Sequence, residues 1–320
     1  MDVLHFLNVG NGDCNIIQHG SGRVTIVDVC KARREEKMNE MEKLSARLDN
    51  LISKSEGGNF NQKAHPDNPI AYMQARSISS VFRFVLTHPD MDHMDGILDL
   101  FEEFGPPNFW DTDNSCENED WSGSPYRQED WEFYKSLRKS DTDPKRLVYH
   151  SGESPKDYWH EDGLSILAPT PELVQQANDT DEFNDCSYVL LYRAAGRRVI
   201  LAGDSHDATW EHILEAHAAD VSNIDLLIAP HHGRKSDRDY SFLDTLQPKL
   251  TLFGNARSEH LAYDAWNSRE LPFITNNQAG SVVVNVATGR VYCTNQAFAE
   301  KASGVSVFDP SLQAYFVQGL

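Results

Sequence analysis

The chain has 320 residues, of which 40% are apolar, and a formal net charge of −20 at pH 7. This apolar fraction is sufficient for a buried core, so we expect a globular protein. The negative charge opposes non-specific attraction to duplex DNA or to an anionic membrane, which argues against a protein that coats polyanions.

The sequence predicts neither a signal peptide nor a membrane span. The N-terminal segment carries an acidic residue, Asp2, and contains no basic stretch followed by a long apolar run. No run of about eighteen apolar residues occurs in the chain. We therefore expect a cytoplasmic protein without membrane contact. The five cysteines are scattered and form no CxxC pair, so we expect reduced thiols rather than disulfides or a thiolate zinc site.

The N-terminal region predicts the first strands of a sheet. Short strands are expected near residues 3–7, 14–18 and 24–28, because apolar stretches alternate there with Gly-rich hairpin turns. A further apolar strand is expected at residues 81–86, followed by a helix over residues 96–104.

A helical insertion is predicted between these strands, near residues 31–70. From residue 31 to residue 54 the chain is charged, and apolar residues recur at spacings of three and four, which is typical of an amphipathic helix. Its apolar stripe consists of Met38, Met41, Leu44, Leu48 and Leu51. The stripe either packs on the core of its own domain or contacts a protein partner or a second copy of the chain.

A second insertion is predicted near residues 105–163, over one face of the fold. This segment is acidic, is interrupted by Pro and Gly, and contains one predicted helix around Gln128–Arg138. Its tryptophans Trp110, Trp121 and Trp131 form either a small core of their own or a wall on which a base could stack.

Strands and helices alternate in the second half of the chain. Strands are expected at residues 164–169, 187–193, 197–203, 224–229 and 249–253, helices near 207–218 and 239–246, and a hairpin at 281–294 that turns at Thr288 and Gly289. This alternation predicts a layered α/β protein whose sheets are covered by helices. No domain boundary is evident, so we predict a single domain over residues 1–320.

Histidines and carboxylates follow three of the predicted strands. Each of these strands is apolar on both faces and is therefore expected in the interior, and the carboxyl ends of such strands commonly hold functional sites. Singly, each motif could be a turn, a solvated loop or a helix cap. Together they indicate divalent metals, because a dication removes the repulsion between packed carboxylates. The residues concerned are His88, Asp90, Asp92, His93, Asp204, His231 and His232.

These motifs resemble those of the metallo-β-lactamase superfamily. The stretch THPDMDH has the form HxDxDH, and it occurs together with FLNVGNGD, NDCSYVLL, ILAGD and APHHG within residues 6–233. This set resembles the hydrolase domain of ComEC-type competence proteins and their stand-alone soluble relatives. The resemblance implies an αββα sandwich with two divalent metal ions, zinc or manganese, bound along one edge.

The resemblance also implies a role for each motif residue. His88 and Asp90 are implied to bind the first metal, Asp92 and His93 the second, and Asp204 to bridge the two. His232 is implied to complete the second site, because Gly233 follows it in the His-Gly form of the motif. His231 would then support the site or contact the substrate phosphate, and the reverse assignment of the two histidines remains open.

Other positions depart from the superfamily pattern or are weaker candidates. Residues 184–187 stand where a further histidine usually binds the first metal, so Asp185, Asn184 or a water is expected there. Asn8 stands where relatives usually have Asp. Asp28 is expected either behind the ligands or in an ordinary turn. Asp13 is expected near the metals, as a substrate contact, or as part of a plain hairpin.

The implied reaction is hydrolysis. No GxSxG motif or Cys-His pair is visible, so we expect a metal-bound hydroxide as the nucleophile, oriented by Asp92 or Asp204. Asp90 in place of a histidine favours manganese in the first site and phosphate esters over β-lactams. The chain is therefore expected to be a phosphodiesterase or nuclease, with a small-phosphoester or nucleotide hydrolase, or a weakly active regulatory or partner-binding protein, as alternatives.

The charge of the chain predicts a short substrate. The cations expected near the site are few, namely Arg234, Lys235 and Arg238, and they could also be a solvated turn. Long nucleic acids require many phosphate contacts. We therefore expect a nucleotide or a short or single-stranded nucleic acid as the phosphodiester substrate.

Overall fold

Two β-sheets lie at the centre of the fold in the computed structural model, which describes residues 2–34, 60–118, 120–153, 157–236, 238–256 and 260–320. Most of the helix predicted over residues 31–54, and with it the proposed partner surface, lies outside the described residues. The strands in chain order are β1 (Val3–Phe6), β2 (Asn15–Gln18), β3 (Val24–Val27), β4 (Arg83–Val85), β5 (Asn108–Trp110), β6 (Lys145–Leu147), β7 (Leu164–Ala168), β8 (Val189–Ala194), β9 (Arg197–Leu201), β10 (Leu226–Ile228), β11 (Leu250–Phe253), β12 (Phe273–Thr275), β13 (Val282–Asn285), β14 (Arg290–Cys293), β15 (Phe308–Asp309) and β16 (Ala314–Gly319).

Within the described residues, the first sheet has ten strands and the second has six. The order of the first is β15-β16-β14-β13-β1-β2-β3-β4-β5-β6, and its last four strands run parallel to one another. The order of the second is β12-β11-β10-β9-β8-β7, with β9 to β12 parallel. Parallel neighbours end at the same edge of a sheet, so the loops after β3, β4 and β5 lie side by side, as do those after β9 and β10.

Helices cover the outer faces of both sheets. The described helices are α1 (Pro69–Ala75), α2 (Ile97–Phe104), α3 (Gln128–Leu137), α4 (Asp157–Glu161), α5 (Pro171–Thr180), α6 (Asp207–Val221), α7 (Phe242–Leu246), α8 (Tyr263–Asn267), α9 (Asn276–Ala279) and α10 (Gln296–Ser303). Two of them begin with a side-chain cap, since Asn68 and Thr170 each accept a backbone N–H and precede a proline.

Three hydrophobic cores separate four layers. The core between the sheets includes Phe6, Trp110 and Leu190. A second core lies between the first sheet and helices α1 to α3, and a third between the second sheet and helices α6 to α8. The predicted αββα sandwich is therefore confirmed. Among the described residues, no helix has the length and apolar character required to span a bilayer.

The segment 105–163 contributes to the sheet as well as to its cover. Strands β5 and β6 lie within it and extend the first sheet, and Trp110 is fully buried between the two sheets. Trp131 is buried in the outer core of the first sheet, and Trp121 packs against the same core with part of its surface exposed. The positions of Trp110 and Trp131 favour burial over a stacking wall.

Replacement of Trp131 by alanine is expected to destabilise the fold without an effect on the site. Trp131 is 1% exposed, and loss of a buried tryptophan typically costs about 3–5 kcal/mol of unfolding free energy. Trp121→Ala, in a less buried position, is the control and should cost clearly less. Urea denaturation measures both. If the Trp131→Ala protein had the same unfolding free energy as the wild type but bound substrate more weakly, the result would support the stacking wall instead.

Candidate metal centre

The three loops that carry the candidate ligands meet at one edge of the sandwich. The loop after β4 contains a short 3-10 helix, Met91–His93, and the loop after β10 contains another, Pro230–Gly233. Asp204 follows β9 and lies at the centre of the cluster. The loops after β4, β9 and β10 come from different sheets, so the site forms where the two sheets face each other.

Four imidazoles surround the carboxylate of Asp204. Its Oδ1 lies 3.3 Å from Nε2 of His93. Its Oδ2 lies 3.6 Å from Nε2 of His231, 3.6 Å from Nε2 of His232 and 4.0 Å from Nε2 of His88. The Asp204 side chain is 4% exposed, so one buried carboxylate faces all the histidines that the sequence analysis singled out.

The donor atoms of this cluster fit divalent cations. Nε2 of His88, His93 and His232 and Oδ1 of Asp204 are buried without a hydrogen-bond partner in the described part of the chain. Such a group left unsatisfied costs about 1–3 kcal/mol, which a bound ion would remove. Ligand atoms lie within 4.8 Å of one another in three groups: His88, His93 and Asp204; Asp92, His93 and His232; and Asp13, Asp204 and His232.

Side chains behind the cluster fix the orientation of three of the imidazoles. His93 donates from Nδ1 to Oδ2 of Asp28 over 2.8 Å. The hydroxyl of Thr87 also donates to Asp28, over 2.7 Å, so its oxygen accepts the Nδ1–H of His88 over 3.0 Å. His232 donates from Nδ1 to Oδ1 of Asp13 over 2.9 Å. Each of the three rings therefore presents an unprotonated Nε2 when neutral, which is the form that binds metals.

Asp28 and Asp13 thus lie behind the ligands. Both are almost fully buried, at 1% and 2% exposure, and each accepts a hydrogen bond from Nδ1 of a site histidine. Asp28 also accepts the backbone N–H of Thr87, which joins the ends of β3 and β4. The structure places Asp13 beneath His232, where the Gly10-Asn11-Gly12 turn delivers it.

His231 differs from the other three imidazoles. Its Nδ1 lies 3.1 Å from Nη1 of Arg238. A guanidinium can only donate, so this Nδ1 accepts and the proton of the neutral ring is on Nε2. An Nε2 that carries a proton has no lone pair for a metal. The geometry therefore favours His232 over His231 as a ligand.

The remaining predicted residues lie nearer the rim. Asp90 has a side chain that is 47% exposed, with Oδ2 at 3.5 Å from Nε2 of His88. Asp92 is 21% exposed, with Oδ2 at 3.5 Å from Nε2 of His232. Asp185 is not a member of the three donor groups among the described residues, and its Oδ1 lies 3.3 Å from Nδ1 of His206.

The predicted cations occupy different environments. Arg234 is half-buried and Lys235 is exposed, whereas Arg238 is buried. The sequence analysis did not identify Thr87 or His206 as residues that support the site. Thr87 directly precedes His88 in the sequence, and its hydroxyl contacts Nδ1 of that histidine. Asn8 donates to the carbonyls of Gln62 and His65, which ties the end of β1 to a neighbouring turn.

The carboxylates control the charge of the buried histidines. Burial lowers the pKa of His232, but Asp204 and Asp13 outweigh it and raise this pKa to about 10. Burial also opposes the charge of His93, yet Asp204 and Asp28 hold its pKa well above the usual value. Burial raises the pKa of Asp204, but His232 and His93 hold it well below its ordinary value. The field that protonates these rings in the metal-free protein is also the field that attracts a dication.

The pKa of His231 moves in the opposite direction. Burial lowers this pKa, Asp204 raises it, and Arg238 and the neighbouring His232 lower it further, to about 4. His231 is therefore neutral at pH 7, in agreement with its accepting a hydrogen bond from Arg238.

Glycines allow the loops of the centre to pack closely. Gly12 has φ +136°, and a Cβ there would lie 2.2 Å from the carbonyl oxygen of Asp92. Gly233 has φ +81°, and a Cβ there would lie 2.7 Å from the ring of Phe253. Side chains at these two positions would displace the loops that carry Asp92 and His232.

Comparison with known proteins gives only distant structural similarity. No protein-family model matches the sequence, and no curated protein matches it. A protein from Parabacteroides distasonis that is named as a metal-dependent hydrolase is 13% identical over 86% of this chain and 93% of its own, with a TM-score of 0.44.

Two further solved structures are similar to this chain at comparable levels of identity. CmlA, a diiron β-hydroxylase from Streptomyces venezuelae, is 12% identical over 88% of this chain and 54% of its own, with a TM-score of 0.46. This chain thus spans about half of CmlA. The metallo-β-lactamase SMB-1 is 13% identical over 71% of this chain and 76% of its own, with a TM-score of 0.33. The names of the three proteins describe different reactions.

The αββα layers bring the loops after β4, β9 and β10 to one edge of the sandwich. The described cluster of His and Asp side chains lies at the edge of this sandwich.

Metal uptake at pH 7 is expected to release protons. His93 and His232 both have raised pKa values in the metal-free protein, so both rings carry a proton that a metal at Nε2 must displace. Affinity should therefore fall as the pH is lowered. Calorimetric titration with zinc in buffers of different ionisation enthalpy measures the proton count. A binding enthalpy that is independent of the buffer would contradict the expected release.

The two adjacent histidines are expected to differ in their effect on metal content. His232→Gln should lower the amount of bound metal, because it removes an Nε2 lone pair at the centre. His231→Gln is the matched control and should retain the metal, because that Nε2 carries a proton. Metal analysis of the two purified variants measures the difference. The opposite result would make His231 the ligand.

Proposed function

We propose that the chain is a metal-dependent phosphodiesterase or nuclease with a two-metal site. The observation that carries this proposal is the buried carboxylate of Asp204, surrounded by three imidazoles whose Nε2 atoms have no hydrogen-bond partner in the described structure and lie 3.3–4.0 Å from the Asp204 oxygens. A cluster of this composition suits zinc, manganese or iron.

We propose two ligand sets, and the distances between the side chains support them. His88, Asp90 and Asp204 would hold the first ion, and the second would be held by Asp204 together with Asp92, His93 and His232. Asp204 would bridge the two, since its Oδ1 lies 3.3 Å from Nε2 of His93 and its Oδ2 lies within 4.0 Å of Nε2 of both His88 and His232. We leave Asp185 out of both sets, because its carboxylate contacts His206.

The chain's own side chains would orient the reactants. Bound divalent ions would supply Lewis acidity and lower the pKa of a water toward neutrality. Asp92, which is partly exposed, can accept a hydrogen bond from the attacking water. Asp28 and Asp13 hold their histidines in the ligand orientation, and His231 presents an N–H that lies 3.6 Å from Oδ2 of Asp204.

Phosphate esters are favoured by the residues at the rim. Asp90 supplies an oxygen ligand that favours manganese or another oxygen-preferring ion in the first site. Arg234 and Lys235 lie directly after the histidine pair, where they can contact a charged substrate. An anionic phosphate would also be attracted by the metals themselves.

A small phosphoester or nucleotide is the second candidate substrate. The buried guanidinium of Arg238 is already bonded to His231, Ser236 and two backbone carbonyls, so it is not available to a substrate. This leaves Arg234 and Lys235 from the predicted set of three cations. So few contacts favour a short substrate over long duplex DNA.

Asp204→Asn is expected to abolish metal-dependent phosphodiesterase activity and to lower the metal content. Loss of a partner behind a ligand typically costs about 10–100-fold, so Asp28→Asn should show a loss of that size and Asp204→Asn a larger one. Hydrolysis of a chromogenic phosphodiester with zinc, manganese or magnesium measures both variants. Full activity of Asp204→Asn would count decisively against the two-metal proposal.

Turnover is expected to favour short substrates and to depend weakly on salt. The comparison uses a dinucleotide-sized ester, single-stranded DNA and plasmid DNA at two salt concentrations, in the presence of manganese. Few phosphate contacts give a shallow dependence of affinity on salt. Efficient plasmid cleavage with a steep salt dependence would refute the short-substrate claim and leave the metallohydrolase proposal in place.

A further inference from the structure

Arg238 joins the two loops that carry the centre of the site. Its side chain is buried, and its Nε donates to the carbonyl of Ser205 over 3.0 Å. One terminal nitrogen, Nη2, donates to the carbonyl of Asp204 over 2.8 Å. The other, Nη1, donates to Nδ1 of His231 over 3.1 Å and to the hydroxyl of Ser236 over 2.6 Å. One guanidinium therefore fixes the loop after β9 relative to the loop after β10.

This contact decides which nitrogen of His231 carries the proton. Arginine remains protonated and has no acceptor, so the Nδ1 that faces it must accept. The Nε2–H of the ring then points into the site, 3.6 Å from Oδ2 of Asp204. Without Arg238, the two tautomers of His231 would be free to exchange.

His231 is also the most accessible of the site imidazoles. Its side chain is 23% exposed, whereas those of His88, His93 and His232 are fully buried. The other three rings can present Nε2 lone pairs to cations, and His231 presents a hydrogen-bond donor beside them. A substrate that approaches the metals would meet this N–H.

We propose that Arg238 is a positioning residue that holds His231 as an Nε2–H donor to a non-bridging phosphoryl oxygen of the substrate. This inference rests on the proposed function. A preorganised donor near an oxygen that gains negative charge stabilises the transition state more than the ground state. Loss of Arg238 should therefore lower kcat more than it changes KM.

Nitrogen-15 NMR of histidine-labelled protein tests the tautomer directly and requires no activity. His231 is identified by the signal that is lost in His231→Gln. In the zinc-loaded wild-type protein, its Nε2 should be protonated and its Nδ1 unprotonated, and inorganic phosphate should shift the Nε2–H signal. In Arg238→Met, the signals should move toward a mixture of tautomers. An Nδ1–H form in the wild type, or no response to phosphate, would overturn the inference.

A double-mutant cycle separates the effect on His231 from a general effect on the Asp204 loop. Arg238→Met in the wild type should lower kcat by up to about 10²–10³-fold, which is typical of the loss of one preorganised donor. In a His231→Gln background, the amide N–H donates and has no tautomers. There, Arg238→Met should lower kcat only by the amount that arises from disturbance of the Asp204 loop. Metal content, measured in parallel, reports that part.

Equal losses of kcat in the two backgrounds would overturn the positioning role. A protein that hydrolyses no phosphoester with any metal would refute the proposed function, and the NMR result would still decide whether Arg238 fixes the tautomer.

Discussion

The charge balance around one buried carboxylate governs the organisation of this edge of the fold. Asp204 is almost fully buried, with four imidazoles near it and the carboxylates of Asp92 and Asp13 in the same cluster. Buried charge is costly unless it is paired. In the metal-free protein, protonated His93 and His232 supply that pairing, and we propose that divalent ions replace those protons in the working protein. The pairing of the Asp204 carboxylate with His93 and His232 thus contributes to stability, and the same groups form the proposed metal site.

The ends of the strands position the side chains that support this cluster. Parallel pairing places the loops after β3 and β4 side by side, so that Asp28 supports His93 and Thr87 supports His88. The Gly-rich turn after β1 brings Asp13 beneath His232 from a position 219 residues away in sequence. Hydrogen bonds behind the rings set which nitrogen each presents. Asp13 accepts a hydrogen bond from Nδ1 of His232, whereas Arg238 donates a hydrogen bond to Nδ1 of His231. The Nε2 atoms of these adjacent histidines therefore have opposite character: that of His232 has a free lone pair when the ring is neutral, and that of His231 carries a proton.

The sequence predicted the elements with strong local patterns. Strands β7 to β11 are apolar runs bounded by turns, and the His and Asp motifs directly follow some of them, so a layered α/β fold and the meeting of the motifs could be expected. The αββα order of the layers was implied by the resemblance of the motifs to a known superfamily. Strands β5 and β6 were missed, because Asn108–Trp110 and Lys145–Leu147 are three residues long and lie in an acidic segment. The contact between Arg238 and His231 depends on how two loops pack, which neither periodicity nor motif spacing reports.

Anomalous diffraction from crystals loaded with manganese tests the two-metal centre most directly. The expected result is two peaks about 3.5–4 Å apart, as is usual for such centres, with one oxygen of Asp204 near each peak. The peak nearer Asp90 should also contact His88, and the other should contact His93 and His232. A single peak, or two peaks of which neither contacts Asp204, would contradict the proposed centre.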